Sequence, residues 1–272
     1  MIPAAFDYQR VESADAAIAA LTEAGDEAKL LAGGHSLLPL MKLRLAAPTM
    51  LIDVGRVTDL SYIREDGDQL AIGALTRHRD VEISDLVQSQ APILAHATGH
   101  VGDPQVRHRG TIGGSIAHAD PASDLPAVLL ALGGSLKAKG PNGEREIAAT
   151  DFFTGFLEND LADDEMITEI RVPKVPDAGW SFQKFNRRAQ DWAIVGCAVV
   201  ANGTTGVGLV NMGVTPVRAT AVEEALAGGA SGPDAAAQAG EGVDPPGDLN
   251  ASSEFRKHLA RVLVGRALSE IG

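Results

Sequence analysis

LLAGGHSLLPLMKLRL, residues 30–45, interrupts an apolar run with two glycines, a histidine and a serine before apolar residues resume. Residues 28–32 read as a β-strand, and Gly33–Gly34 ends it where the chain would otherwise continue into a core. Glycine adopts positive φ and lets a ligand approach the backbone closely. The stretch therefore predicts either a tight turn without a ligand or a loop whose amides bind an anion.

A second stretch, TIGGS at residues 111–115, again places a glycine pair beside hydroxyl side chains. Successive backbone N–H groups in such loops can converge on an anion, and Ser36, Thr111 and Ser115 would add hydroxyl donors. Two loops of this kind could hold a diphosphate from two sides, although spacing alone leaves two turns without a ligand open. Neither a P-loop motif nor GxGxxG after the first strand occurs, which excludes those two phosphate sites.

The composition is that of a globular protein with enough length for two domains: 272 residues, 45% hydrophobic and 22% charged. A net charge of −13 would repel phosphate backbones and anionic membranes, so neither is expected as a partner. No apolar stretch has the length of a membrane span, so none is expected. The single cysteine, Cys197, excludes internal disulfides and metal sites built on several cysteines. The first ten residues lack the apolar stretch of a secretory signal, which predicts a cytoplasmic location.

Periodicity and capping residues predict a mixed α and β chain with a boundary at VPKVPDAG, residues 172–179. In the first part we expect a helix over 14–24 that Ser13 caps, strands over 50–54, 69–74 and 166–172, helices from Thr76 to about 88, over 91–100 and over 125–132, a hairpin around Asn142–Gly143, and an irregular stretch from 101 to Pro126. In the second part we expect strands over 180–186, 193–201 and 206–214, a helix over 219–226, a loop or weak helix over 228–250, and a helix over 254–269 that Ser252 or Ser253 caps.

Four segments resemble the FAD-binding medium subunits of the molybdenum hydroxylases, a family that includes xanthine dehydrogenase and the aerobic carbon monoxide dehydrogenases. They are AGGHSLLPLMKLRLAAPTMLIDV (32–54), VGDPQVRHRGTIGGSIAHADPASDLPAVLLALG (101–133), KFNRRAQDWAIVGCAVV (184–200) and EFRKHLARVLVGRAL (254–268). The resemblance covers essentially the whole chain. It implies an α+β fold in which residues 1–175 form a two-subdomain FAD-binding domain of the vanillyl-alcohol-oxidase (PCMH) type. Residues 176–272 would form a C-terminal domain with a small antiparallel sheet and helices.

The resemblance also implies which residues bind FAD. One wall of the diphosphate site would be Ala32, Gly33, Gly34, His35 and Ser36, and the other Thr111, Ile112, Gly113, Gly114 and Ser115. Lys29 precedes the first glycine stretch and could lie near the nucleotide, and Leu37 and Ile167 complete the expected FAD-binding residues.

For three more residues the resemblance implies a role in FAD binding, and each of them also has an ordinary structural alternative. Asp124 would bind the ribose end of FAD, or simply cap a helix. Lys184 would lie near the flavin ring, or be an exposed strand lysine. Trp192 would cover one flavin face, or pack in the core.

The implied function is that of an FAD subunit without catalytic residues or metal ligands of its own. A large subunit would hold the molybdenum cofactor and oxidise the substrate. A small subunit with two [2Fe–2S] clusters would deliver the electrons to FAD, and an external acceptor would receive them. The three subunits would form a dimer of heterotrimers. The alternatives are a free-standing flavin oxidoreductase and a flavin-free assembly module. The substrate stays open among aldehydes, N-heterocycles, aromatic thioesters and carbon monoxide, and the segment Ile116–Asp120 argues against carbon monoxide.

Overall fold

The first sheet is parallel and carries the first glycine stretch at its carboxyl edge. The computed structural model describes residues 2–272. The sheet has the strand order β1-β3-β2. Its strands and helices are β1 (Asp7–Arg10), α1 (Ala14–Ala24), β2 (Ala28–Leu31), α2 (Leu37–Leu43) and β3 (Met50–Asp53).

Helix α1 begins and ends as predicted. The Ser13 hydroxyl accepts a hydrogen bond from the Ala16 N–H at 3.1 Å, and Gly25 ends the helix at φ 68°. Ala17, Ile18 and Leu21 lie on one face, and that face is buried against the sheet.

The second sheet is antiparallel, with the order β4-β5-β10-β6-β7, and forms the centre of the larger core. Its strands are β4 (Ile63–Asp66), β5 (Gln69–Gly73), β6 (Ser135–Gly140), β7 (Gly143–Ala148) and β10 (Met166–Pro173), and a separate small hairpin joins β8 (Phe153–Gly155) to β9 (Glu158–Asn159). The helices of this part are α3 (His78–Ile83), α4 (Asp85–Gln90), α5 (Pro92–Thr98), α6 (Pro104–Arg109), α7 (Ile112–His118), α8 (Asp124–Leu132) and α9 (Ala149–Phe152). The hairpin predicted around Asn142–Gly143 is confirmed as the β6–β7 connection.

Two predictions in this part are wrong. Thr76 does not cap a helix that runs to about residue 88, because its hydroxyl bonds the backbone of Tyr62 and the segment divides into α3 and α4 at Ser84. The stretch predicted to be irregular contains α6 and α7. The side chains of Asp103 and Thr111 accept hydrogen bonds from the first turns of these helices.

The third sheet is antiparallel and has the order β11-β12-β13-β14. Its strands are β11 (Gly179–Phe185), β12 (Val195–Asn202), β13 (Thr204–Val210) and β14 (Val217–Arg218), and its helices are α10 (Thr220–Ala227), α11 (Gly232–Ala236) and α12 (Ser253–Ile271). Ser252 caps α12, as one of the two predicted candidates. The segment predicted as a loop or weak helix contains α11 and a short 3-10 helix over Ala237–Gly240.

Helix α8 connects the second and third sheets. It packs against β12 and β13, and the residues that it buries belong to the same core as Ala198 and Val200 of β12. Any side chain at Gly206 or Gly208 of β13 would collide with backbone carbonyls of α8, so glycine is required for this close approach. The packing holds Asp124, at the first turn of α8, close to the third sheet.

Candidate functional site

A cleft of about 550 Å³ opens where the three sheets meet. Its walls come from the end of β2 and the start of α2, from α7, from the chain between β9 and β10, and from residues 184–192. Fifteen of the sixteen residues that the resemblance assigned to FAD line this cleft, and Ile112 is the exception.

The first glycine stretch presents unpaired backbone donors. Strand β2 ends at Leu31 and α2 begins at Leu37, and Gly34 between them has φ 79°. Within residues 2–272, none of the four backbone N–H groups from Gly33 to Ser36 donates to a protein acceptor. Buried or partly buried N–H groups are nearly always paired, so a row of four without acceptors indicates a place for a ligand.

The two glycine stretches touch through the residues that precede the second one. A Cβ atom added to Gly33 would collide with the Arg109 carbonyl and lie 2.8 Å from the Gly110 Cα. Gly110 in turn lies against the ring of His78, where an added Cβ would be 2.6 Å from Cδ2. The guanidinium of Arg77 donates to the Arg109 carbonyl and fixes the same segment.

The second glycine stretch is the first turn of α7 and not a loop with free amides. The N–H groups of Ile112 and Gly113 donate to the carbonyls of Thr76 and Ala74, at 3.0 and 2.9 Å. The Gly114 N–H donates to the Thr111 hydroxyl at 3.2 Å. The expectation that amides on both sides converge on a diphosphate is therefore wrong for this side. What it offers instead is the hydroxyl groups of Thr111 and Ser115.

Ile112 takes no part in the cleft because its side chain is 1% exposed and packs in the core. Gly113 is a glycine for packing, since a Cβ atom there would lie 2.7 Å from the Ala74 carbonyl. Gly114 differs, because the only atom that an added Cβ would meet within 4 Å is the Thr111 hydroxyl oxygen. The resemblance therefore assigned to one site three neighbouring residues whose surroundings differ.

Asp124 and Lys184 form a buried ion pair at the cleft wall. Lys184 Nζ lies 2.7 Å from Asp124 Oδ2, and both side chains are 6% exposed. Lys184 also donates to the His100 carbonyl at 2.9 Å, while Asp124 Oδ1 has no partner. Burial raises the pKa of Asp124, and the nearby ammonium opposes that shift.

This contact bears on two of the assignments. Sequence analysis placed Asp124 at the ribose end of FAD and Lys184 at the flavin ring, yet the two side chains touch. Two side chains in contact would meet neighbouring parts of one ligand, and their assignments to the ribose end and to the flavin ring stay predictions. Lys184 is also not an exposed strand lysine.

Trp192 projects at the mouth of the cleft, in the loop between β11 and β12. It is 57% exposed, which rules out the alternative of a tryptophan packed in the core. Asp191, beside it, lies 3.6 Å from the guanidinium groups of Arg187 and Arg188.

The remaining predicted residues lie around the cleft as follows. Lys29 is exposed on β2, His35 is exposed in the first glycine stretch, and Leu37 opens α2. Ile167 is 5% exposed on β10, at a register shift between β10 and β6.

Sequence reasoning missed His78 and His118, which also line the cleft. His78 is 3% exposed, and its Nδ1 has no partner. Burial, and then the charge of Arg107, lowers its pKa to about 4, so the ring is neutral at pH 7. Burial also lowers the pKa of His118. His78 lies outside the segments that carry the resemblance, whereas His118 lies inside one of them, residues 101–133, without an assigned role. The fold brings both side chains to the cleft.

The i, i+4 pair His96 and His100 has ring centroids 4.7 Å apart. Across residues 2–272, no group of three or more histidine, cysteine, aspartate or glutamate side chains is placed to hold a metal ion. In that same range, no helix combines the length and the apolar character needed to cross a bilayer.

Two family models match the chain. Residues 4–175 match the FAD binding domain in molybdopterin dehydrogenase, and residues 180–271 match the CO dehydrogenase flavoprotein C-terminal domain. The α+β fold expected from the resemblance is confirmed by these matches and by the structural similarity below.

Similar proteins include medium chains with different substrates. The chain is 41% identical to the carbon monoxide dehydrogenase medium chain of Hydrogenophaga pseudoflava, over 99% of this chain and 98% of that one. It is 37% identical to the glyceraldehyde dehydrogenase medium chain of Sulfolobus acidocaldarius, over the full length of both. A solved structure of carbon monoxide dehydrogenase from Hydrogenophaga pseudoflava, lacking the Mo-pyranopterin moiety of its cofactor, superimposes with a TM-score of 0.96 at 43% identity and covers 100% of this chain and 98% of that one.

Proposed function

The chain belongs to the FAD-binding medium subunits of the molybdenum hydroxylase family, and from that premise we propose that FAD lies in the cleft with its diphosphate against residues 33–36. The observation that carries the proposal is the row of four N–H groups without acceptors. N–H groups gathered around a residue with positive φ, here Gly34, bind anions. The oxygens of a diphosphate would supply the missing acceptors.

The second glycine stretch would contribute hydroxyl groups. Thr111 and Ser115 carry hydroxyls that can donate to phosphate oxygens. Ser115 Oγ lies 3.0 Å from Ser123 Oγ, which fixes its direction. Gly114 would leave the Thr111 hydroxyl in place, because an added Cβ atom would lie only 2.7 Å from its oxygen.

Asp124 and Lys184 would bind neighbouring parts of FAD. The free oxygen of Asp124 can accept from a hydroxyl or N–H of the ligand. Lys184 has three N–H donors, two of which are used by Asp124 and the His100 carbonyl, so one is left for a ligand oxygen. Trp192 would cover the ligand at the mouth of the cleft, where its exposed ring is available for stacking.

Bound FAD is the electron carrier in this family, between the iron–sulfur clusters of a small subunit and an external acceptor, while a large subunit holds the molybdenum cofactor. The work of this chain is to bind and orient the flavin. We further propose a dimer of heterotrimers in the cytoplasm, with residues 1–175 and 176–272 as the two domains. The two family matches, which meet between residues 175 and 180, support that division.

The substrate of the complex is a property of the large subunit in this proposal. Relatives named for carbon monoxide and for glyceraldehyde are 41% and 37% identical to the chain, so its sequence does not select between them. The segment Ile116–Asp120 therefore does not select against carbon monoxide.

The two alternatives are less well supported. A free-standing flavin oxidoreductase disagrees with relatives that are medium chains of larger enzymes. A flavin-free assembly module would have no need for the unpaired amides between Gly33 and Ser36.

The experiment is an FAD titration of the purified chain, followed by visible absorption. We expect FAD to bind, and Gly114→Ala to raise the dissociation constant about tenfold, since one extra carbon in a packed site costs about 1–3 kcal/mol. Gly265→Ala is the matched control, because it is also a helical glycine and its added Cβ would meet only Ala236 at an ordinary 3.6 Å. Equal affinities for the two variants would contradict the site, and a chain that takes up no FAD even with both partner subunits present would contradict the function.

A further inference from the structure

We propose that Asn211 positions Trp192 against the FAD cleft, an inference that rests on the function proposed above. Asn211 follows β13 and has φ 61°. Asparagine is one of the few residues that adopt this left-handed conformation readily. In this conformation the backbone N–H and the side-chain amide of Asn211 donate hydrogen bonds to two different segments.

The two directions lead to the two parts of the cleft wall. The backbone N–H of Asn211 donates to the Pro121 carbonyl at 2.7 Å, in the turn that precedes Asp124. Its side-chain Nδ2 donates to the Ala193 carbonyl at 2.8 Å, in the residue that follows Trp192. A single residue thus ties the Trp192 loop to the turn that presents Asp124.

The loop is also closed at its base. The Ile194 N–H donates to the Phe185 carbonyl at 2.8 Å, which brings the two ends of residues 186–193 together. The guanidinium of Arg256, only 1% exposed, donates to the Ile194 carbonyl. Both carbonyl groups after Trp192 are therefore held by side chains from outside the loop.

Trp192 needs this support because packing does not fix it. Its side chain is 57% exposed, so the path of the backbone sets where the ring lies. Held by Asn211, the ring is in place before the ligand arrives, and a preorganised site binds more tightly than one that must order itself. Asn211 is a positioning residue: it does not touch the cleft itself but acts through Ala193.

The test uses Trp192 as its own reporter. The chain has two tryptophans, so Trp180→Phe leaves Trp192 as the sole indole, and FAD binding is followed by quenching of its emission. Asn211→Gly keeps the backbone conformation and the N–H but removes the amide donor. Asn211→Asp keeps the shape and places an oxygen against the Ala193 carbonyl.

We expect both Asn211 variants to raise the FAD dissociation constant about fivefold, the value of one neutral hydrogen bond, and to reduce quenching at saturating FAD. Asn142→Gly, at the exposed turn between β6 and β7, is the control and should match the parent. A purely structural role would lower the melting temperature without changing either readout.

Three outcomes overturn the inference and differ in what else they overturn. If both Asn211 variants keep the FAD affinity and the quenching of the parent, only the inference about Asn211 is overturned. FAD uptake by the parent without quenching of Trp192 would overturn it together with the assigned role of Trp192. No FAD uptake by the parent, even with both partner subunits, would overturn the proposed function as well.

Discussion

Lys184→Met removes the cation from a buried ion pair and leaves Asp124 as an unpaired carboxylate. The Nζ–Oδ2 distance is 2.7 Å and both side chains are 6% exposed, so water replaces the lost partner poorly. Asp124 Oδ1 already has no partner, so neither oxygen would keep a donor. Removing one member of a buried pair costs about 3–5 kcal/mol. We expect the lower end, about 3 kcal/mol, because the pair borders an open cleft.

The loss should depend on pH in a definite direction. Burial raises the pKa of Asp124, and Lys184 is the main influence that opposes the rise, so the variant raises this pKa further. A carboxyl group with a higher pKa in the folded state binds more protons when folded. The stability that comes from the protonated Asp124 is fully present below the unfolded pKa, near 4. It is lost as the pH rises through the folded pKa and the carboxyl group ionises. The deficit of the variant should therefore be larger at pH 8 than at pH 5, growing by at most about 1.4 kcal/mol per pH unit until the pH passes the folded pKa.

The assay is urea unfolding of the FAD-free chain at pH 5, 6, 7 and 8, followed by circular dichroism. The double variant Asp124→Asn with Lys184→Met leaves no buried charge and should recover most of the loss. A loss below about 1 kcal/mol, or one that is equal at pH 5 and pH 8, would refute the reasoning.

Three further predictions concern stability and reactivity. Gly208→Ala should lower the free energy of unfolding by about 1–3 kcal/mol, because the added carbon would collide with the Ala127 carbonyl of α8; unchanged melting would contradict this. Wild-type stability should fall as the pH drops from 6.5 towards 4, since burial lowers the pKa of His78 to about 4, and His78→Phe should remove part of that fall in acid denaturation curves. Cys197 is fully buried and its pKa is raised to about 12, so a thiol reagent should label it only after unfolding, and rapid labelling of the native chain would show that β12 is not buried as described.

Local signals explain which elements could be predicted. Helix α1 has a serine cap, a regular apolar face and a terminal glycine, all of which act within the segment. Helices α6 and α7 were missed because each is short and α7 contains a glycine pair, which usually marks a turn. Gly113 is there because α7 lies against Ala74, and that contact joins residues far apart in the chain.

The same division explains the site. Thirteen of the fifteen predicted cleft-lining residues lie within the segments that carry the resemblance, each of which is continuous in sequence; Lys29 and Ile167 lie outside them. The resemblance could not show that the amides of residues 112–115 are already bonded, nor that Asp124 and Lys184, sixty residues apart, form one ion pair. His78 reaches the cleft only through the packing of α3 against Gly110. These facts depend on tertiary contacts that no segment encodes alone.

Amide hydrogen exchange with and without FAD tests the central claim most directly, because the two glycine stretches predict opposite behaviour. The N–H groups of residues 33–36 have no protein acceptor, so they should exchange fast in the FAD-free chain and become protected when FAD is added. Those of Ile112 and Gly113 are bonded to backbone carbonyls and should be protected in both states. Protection that appears on FAD binding at residues 112–115 and not at residues 33–36 would contradict the account.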